Sequence, residues 1–76
     1  MASDRLEVSG ASPYVHKVLS DTGARSRTGV SIVALVRGSD VIASPTPQQP
    51  LEAGDVLVCI GTVDGLAKLS NILDGS

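Results

Sequence analysis

The sequence contains 76 residues, about half the length of a typical domain, which excludes a second domain. Six basic and eight acidic residues give a formal charge of −2 with no basic run, which argues against binding nucleic acid or an anionic membrane. One cysteine and one histidine exclude an internal disulfide and a four-ligand zinc site. Tyr14 is the only aromatic side chain, so the core must be small and aliphatic. Because the chain has a small core and neither a disulfide nor a structural zinc site to stabilise it, we predict that it oligomerises.

No feature of the sequence indicates direct membrane insertion. No apolar stretch approaches the roughly 18 residues that span a bilayer. The first four residues lack the basic and then apolar order of a signal peptide. The sequence therefore predicts a soluble, cytoplasmic protein.

The first half of the chain predicts a strand followed by a short helix. Polar and apolar residues alternate over residues 5–8, which indicates a half-buried strand. Ser12 and Pro13 are typical of a helix start, and the helix is predicted to continue to Thr22 with one apolar face, formed by Val15, Val18 and Leu19. Gly23 is expected to end this helix, and residues 24–29 read as a polar connection.

The middle of the chain predicts a hairpin, a loop and a third strand. Residues 30–36 are nearly all apolar and rich in β-branched side chains, which suits a strand covered on both faces. A turn cluster at residues 37–40 leads into a return strand over 41–44. Three of the four prolines lie in residues 45–50, which must be an extended loop. Residues 56–60 are again strongly apolar and predict a strand.

An amphipathic helix is predicted after the last strand. Thr62 can cap it, Asp64 lies in its first turn, and Gly75 can stop it. Its apolar stripe consists of Leu66, Leu69, Ile72 and Leu73. The order strand, short helix, three strands and helix predicts a small α+β domain.

The residues that carry enzyme chemistry are sparse, and we predict that the chain is not an enzyme and binds no metal or cofactor. His16 suits a solvated surface position better than a general base. Cys59 lies inside an apolar strand and is expected to be an inert core residue. Glu52 and Asp55 flank Gly54 and read as turn-capping acids. The remaining aspartates are scattered, and no glycine-rich phosphate loop is present.

The arginines form the only directional charge feature. Arg25, Arg27 and Arg37 supply half of the positive charge within thirteen residues. The simplest interpretation is a solvated turn. The alternative is a phosphate site, because arginine makes forked bonds to phosphate and flanking glycines let a ligand approach the backbone. In a two-fold dimer each arginine is doubled, which would suit a small symmetric dianion.

Three stretches occur in an order that is specific to one known family. They are TGVSIVALVRG at residues 28–38, the pair Ser44-Pro45, and LEAGDVLVCIG at residues 51–61. With them the chain resembles the C-terminal domain of RCK proteins, also called the TrkA-C domain, from about Leu6 to Leu73. We expect this domain to occupy residues 6–74, and residues 1–5 to be an N-terminal tail or a cloning remnant.

The resemblance implies a βαβββα-type lobe that pairs as a homodimer. In relatives this lobe is attached to potassium channels, potassium uptake systems and cation/proton antiporters, whose transport it regulates. Within the family, the short runs Ser-Pro, Ala-Arg-Ser-Arg-Thr-Gly and Ile-Val-Ala are similar to those of regulatory subunits of bacterial potassium/proton antiporters. A ligand-sensing regulatory domain that partners a membrane cation transporter or channel subunit is thus implied. The alternative is a dimerisation or assembly module that needs no ligand.

The resemblance also implies a ligand, since the dimer cleft binds cyclic di-AMP in several branches of the family. The residues that would line the cleft here are Ala24, Arg25, Ser26, Val30, Ser31, Ile32 and Pro45, with Arg25 on a phosphate. Relatives that bind this ligand often have a residue with a side-chain amide at the position of Ser31. The shorter hydroxyl of Ser31 is expected to make a poor contact with adenine. Arg27 and Arg37 are the candidates to compensate as further phosphate or base partners.

Overall fold

The computed structural model describes residues 1–75 and contains one sheet, two short non-α helical turns and one α-helix. The elements in chain order are β1 (Ala2–Glu7), a 3₁₀ turn (Leu19–Thr22), a π turn (Ala24–Thr28), β2 (Ser31–Arg37), β3 (Asp40–Ala43), β4 (Val56–Gly61) and α1 (Val63–Leu73). This confirms the predicted α+β class and the order of the strands and terminal helix.

The sheet is antiparallel throughout, with the strand order β1-β4-β2-β3. β2 and β3 form the predicted hairpin, in which Arg37 lies opposite Asp40 and Gly38 turns the chain with a φ of 61°. β1 begins at Ala2, so residues 2–5, which were expected to be a tail or a cloning remnant, pair with β4.

The core lies between one face of the sheet and α1. Alternation along the strands directs Leu35, Leu57 and Cys59 to this face, where each is fully buried. The helix begins as predicted, because the side chain of Thr62 accepts a hydrogen bond from the amide of Gly65 at 2.9 Å. Its buried stripe is the predicted one, formed by Leu66, Leu69, Ile72 and Leu73.

The other face of the sheet is not covered within residues 1–75. The prediction that β2 is covered on both faces is therefore wrong for the single chain. Val33 is 39% exposed, Ile60 36% and Val41 66%. The register also shifts between Ile32 and Ala34, so the apolar run is not a simple alternation. An apolar sheet surface thus remains open to a partner.

The helix predicted over residues 12–22 is wrong for most of its length. The amide of His16 donates to the carbonyl of Leu51 at 2.8 Å, and the amide of Leu51 donates to Lys17 at 2.8 Å. These bonds hold the chain against a distant loop, and His16 adopts a left-handed φ of 68° that interrupts a helix. Only the 3₁₀ turn is helical, and Gly23 ends it with a φ of 65°, as predicted.

Candidate functional site

A cleft of about 420 Å³ opens between the 3₁₀ turn, the π turn, the start of β2 and the proline loop at residues 45–50. Seven of the nine residues proposed from the sequence lie together along it, namely Ala24, Arg25, Ser26, Val30, Ser31, Ile32 and Pro45. Four other residues line the cleft that were not predicted from the sequence, namely Leu19, Ser20, Gly23 and Pro47. Pro47 could have been found, because it shares the proline loop with Pro45.

The π turn forms the polar edge of the cleft, at the position where the sequence predicted a polar connection. Gly23 precedes the π turn and Gly29 follows it, with φ angles of 65° and 73° that residues with a Cβ rarely adopt. The amide of Gly29 donates to the carbonyl of Arg25 at 3.0 Å and closes the turn. Arg25 and Ser26 are thereby held at the rim of the cleft with both side chains exposed.

Two threonine hydroxyls fix the conformation of the π turn from below. Thr22 is fully buried; its hydroxyl donates to the carbonyl of Leu19 at 2.8 Å and accepts from the amide of Ala24 at 3.2 Å. The hydroxyl of Thr28 donates to the carbonyl of Ala24 at the other end of the turn. Side chains thus satisfy backbone groups that an α-helix would pair internally, which stabilises this irregular turn.

The cleft is electropositive because Arg25 is the only charged residue on its described wall. The ion pair found among residues 1–75 lies elsewhere, between Arg37 and Asp55 at 2.8 Å, as does the approach of Nδ1 of His16 to Glu52 at 3.6 Å. The guanidinium of Arg25 is therefore available to an anion, and its planar fork matches phosphate oxygens.

The rest of the cleft combines apolar walls with small hydroxyl groups. Leu19, Val30, Ile32, Pro45 and Pro47 supply the apolar surface, and three serines supply hydroxyls at positions 20, 26 and 31. Small-molecule sites commonly have this composition, with apolar walls that hold a ring system and a few polar groups that orient it. The arrangement can bind an anion that carries a flat apolar group.

Arg27 does not face the cleft. Its Nη1 donates to the carbonyl of Thr22 at 3.3 Å, and the side chain lies across Gly23. It borders a second, shallower depression together with Thr28, Lys68, Asn71 and Ile72.

Arg37 is separated from the cleft by the length of β2. A strand of seven residues spans roughly 20 Å, which places Arg37 at the end opposite to Ser31. Its Nε donates to Oδ1 of Asp55 at 2.9 Å, and its Nη2 donates to Oδ2 at 2.8 Å. Arg37 therefore lies far from Arg25 and Arg27, and of the three arginines only Arg25 lines the cleft.

The candidate catalytic residues do not form a site. Cys59 is fully buried, and burial, with a smaller effect from Asp4, raises the pKa of its thiol to about 11. The side chain of His16 is 77% exposed and lies near Glu52 on the surface. Asp55 caps the turn, as predicted, by accepting the amide of Glu52 at 2.8 Å. Residues 1–75 contain no group of three or more side chains suited to hold a metal ion.

The chain matches one known protein family over almost its whole length. The family model of the TrkA-C domain matches residues 5–74. The chain therefore belongs to the TrkA-C family, whose members are regulatory domains of channels and transporters and not catalytic domains. This confirms the resemblance drawn from residues 28–38 and 51–61.

The curated relatives are channel and transporter proteins, among them proteins of potassium transport. The chain is 37% identical over 60 residues to potassium channel protein 1 of Methanocaldococcus jannaschii, covering 79% of this chain and 18% of the relative. It is 32% identical over 63 residues to the Ktr system potassium uptake protein C of Bacillus subtilis, covering 83% of this chain and 28% of the relative. The chain thus spans less than a third of the length of either relative.

Solved structures share the fold at low sequence identity. The RCK_C domain dimer of S. agalactiae BusR in complex with c-di-AMP superposes with a TM-score of 0.86 at 26% identity, covering all of both chains. The RCK C domain of KtrA, also in complex with c-di-AMP, gives 0.84 at 28% identity, covering 92% of this chain and 80% of that one. BusR bound to promoter DNA gives 0.85 at 27% identity, covering 96% of this chain and 36% of that one.

Proposed function

We propose that this chain is the ligand-sensing lobe of a bacterial potassium or other cation transport system and that two copies bind one cyclic di-AMP between them. The observation that carries this proposal is Arg25, a cation that has no acidic partner among residues 1–75 and lies at the rim of an apolar cleft. Two RCK_C structures that share the fold are complexes with this ligand.

The chemistry of the ligand fits the cleft. Cyclic di-AMP carries two phosphates and two adenines related by a two-fold axis, so two copies of the chain can each bind one half. Arg25 of each copy would pair with one phosphate through a charge-assisted, forked contact. The apolar side chains of Ile32 and Pro45 would hold the flat adenine. Ser31 offers one short hydroxyl, so recognition would depend on phosphate and apolar contact more than on the adenine edge.

The size and openness of the cleft support binding between copies. About 420 Å³ lies within the range of roughly 300 to 1,000 Å³ that small-molecule sites occupy. The cleft is open to solvent on one side, so a single chain would leave much of a dinucleotide exposed. A second copy would enclose the ligand and double the positive charge around it.

Regulation would follow from a difference in affinity. If the ligand binds one arrangement of two lobes more tightly than another, it shifts their equilibrium by that difference, typically about 1 to 3 kcal/mol. A membrane transporter or channel subunit would read this arrangement, with the lobe on the cytoplasmic side. The part of the chain that the structure describes has no helix long and apolar enough to cross a membrane.

Isothermal titration with cyclic di-AMP tests the proposal. The wild-type chain should bind one ligand for every two chains. Arg25→Ala should weaken binding at least about a hundredfold, because a charge-assisted bond contributes about 1.5 to 3 kcal/mol in each copy. Arg5→Ala is the matched control, since Arg5 is exposed on β1 outside the cleft, and it should bind like the wild type. Absence of binding by the wild type would overturn the proposed ligand.

A ligand-independent dimerisation module is the second candidate, and the uncovered sheet face favours it. Val41, Val33 and Ile60 are exposed there on neighbouring strands. A dimer in light scattering that shows no heat with cyclic di-AMP would support this function. Val41→Lys should then lower the measured mass toward that of one chain if this face forms the contact.

Nucleic acid is not part of the proposal. The two BusR structures with promoter DNA match this chain over 36% and 38% of the BusR chain. The net charge of −2 and the dispersed basic residues still predict no DNA binding by this chain alone. A mobility-shift assay with duplex DNA, with and without cyclic di-AMP, checks this prediction, and a salt-sensitive shift would contradict it.

A further inference from the structure

We propose that Arg37 is a positioning residue for the cleft, acting through Asp55 and Pro50 on the proline loop whose Pro45 and Pro47 form the far wall. The inference rests on the proposed function of the cleft. It assigns to Arg37 a role other than the ligand contact that the sequence suggested.

The guanidinium of Arg37 joins three segments of the chain. From the end of β2 it donates two bonds to the carboxylate of Asp55, which is fully buried. Its Nη2 also donates to the carbonyl of Pro50 at 3.0 Å. Asp55 in turn accepts the amide of Glu52 at 2.8 Å. One side chain thus fixes the end of the proline loop and the turn that follows it against the hairpin.

The proline loop depends on such external contacts. Its three prolines have no amide hydrogen, so the loop can donate few backbone bonds. On the cleft side, its carbonyls accept from the 3₁₀ turn, at Pro47 from Ser20 and at Gln49 from Leu19. On the other side, Pro50 accepts from Arg37 and from the side chain of Gln49. Arg37 is therefore the contact that ties the loop to the hairpin.

The entrance to the loop also needs to be held. Ser44, just before Pro45, has a φ of 49°, which a residue with a Cβ adopts only when its surroundings impose it. Its amide donates to Val33 at 3.0 Å. Without the tie at Pro50, the loop would keep its bonds to the 3₁₀ turn but lose its side-chain bond to the hairpin, which would let it relax from this conformation. The cleft wall would then move while the charge at Arg25 stayed the same.

The expected effect of weakening the tie is a loss of affinity with a local loss of order. Arg37→Lys keeps the charge beside Asp55 but cannot make the forked contact and reach Pro50 together. We expect this variant to bind cyclic di-AMP about three- to tenfold more weakly than the wild type. Arg5→Lys is the matched control, because it makes the same exchange at an exposed position outside the cleft.

Amide hydrogen exchange without ligand tests the positioning independently of the ligand's identity. Arg37→Lys should speed exchange at the amides of Gln49 and Leu51 and leave those of β4 and α1 unchanged. Unchanged exchange in the loop would overturn the proposal, as would faster exchange throughout the chain, which is the mark of a purely structural role. If the wild type does not bind cyclic di-AMP, the proposed ligand fails, but this comparison still decides whether Arg37 orders the loop.

A double-mutant cycle separates positioning from direct contact. If Arg37 acts through the loop wall, Arg37→Lys should cost much less affinity in a Pro47→Ala background than in the wild type. Two effects that simply add would show that Arg37 does not act through this wall. The pair Arg37→Gln with Asp55→Asn removes both charges and guards against loss of folding from an unpaired buried carboxylate. It should reproduce the faster exchange in the loop, and unchanged exchange there would count against the proposal.

Discussion

Gly65, in the first turn of α1, lies directly against the backbone carbonyl of Thr28 at the end of the π turn. A Cβ placed on Gly65 would be 2.6 Å from that oxygen and 3.2 Å from Cγ2 of Val30. The helix and the segment that leads into the cleft therefore touch without an intervening side chain. The first turn of α1 thus packs directly against the end of the turn that carries Arg25.

Gly65→Ala tests the closeness of this contact. The added methyl group meets a backbone atom that cannot move aside cheaply, and overpacking of this kind costs about 1 to 3 kcal/mol. Alanine recovers up to about 1 kcal/mol of helix propensity, so we expect a net loss of about 1 to 2 kcal/mol in the free energy of unfolding. Urea denaturation measures it. Gly10→Ala is the matched control, because its Cβ would meet only the Cβ of Ala53 at 4.0 Å. Equal stability of the two variants would contradict the expectation.

Acid should destabilise the chain through Asp55. Burial opposes ionisation of this carboxyl, but hydrogen bonds from Arg37 and from the amide of Glu52, with the charge of Arg37, outweigh it and lower its pKa. A lowered pKa means that Asp55 stabilises the fold above its unfolded value of about 3.9, and that this stability is lost as the pH falls through the folded pKa. The melting temperature of the wild type should therefore decrease when the pH is lowered below about 4.

Asp55→Asn should have a lower melting temperature than the wild type at pH 7 and approach it in acid. Asp40→Asn, at an exposed position, is the matched control and should follow the wild type at every pH. If the curves of Asp55→Asn and the wild type ran parallel from pH 7 to pH 3, the ion pair would not account for the acid sensitivity.

Cys59 should be unreactive in the native chain. Its thiol is fully buried with a pKa raised to about 11, so almost none of the reactive thiolate forms near neutral pH. A chromogenic disulfide reagent at pH 7.5 should therefore label the denatured chain at once and the native chain only at the rate of its opening. Rapid labelling of the native chain would show that β4 is accessible.

Local sequence patterns predicted the strands and α1 well, because each depends on its own periodicity and end signals. The stripe from Leu66 to Leu73 and the cap at Thr62 are examples. The helix predicted around Val15 and Val18 failed for a non-local reason, since bonds between His16 and Leu51 hold the backbone in another conformation. No spacing rule shows a contact between segments 35 residues apart.

The cleft residues were foreseen through the family resemblance more than through chemistry. The sequence from Gly23 to Gly29 does not predict a π turn. This turn depends on hydrogen bonds from the hydroxyls of Thr22 and Thr28 to backbone carbonyls. The inclusion of Arg37 in the predicted site rested on its closeness to Arg25 in the sequence. In the fold, Arg37 lies at the far end of β2, away from the cleft. Its partner Asp55 could not be assigned before the hairpin and the turn were placed together.

Two-dimensional NMR of the labelled chain during titration with cyclic di-AMP would locate the ligand on the structure residue by residue. We expect the chemical-shift changes to concentrate in the amides of the π turn, the 3₁₀ turn, residues 30–32 and the proline loop, and to saturate at one ligand for two chains. Arg25→Ala should abolish them while the rest of the spectrum keeps its native dispersion. Saturable shifts centred on another surface, or no shifts at all in a folded wild-type chain, would contradict the proposed site.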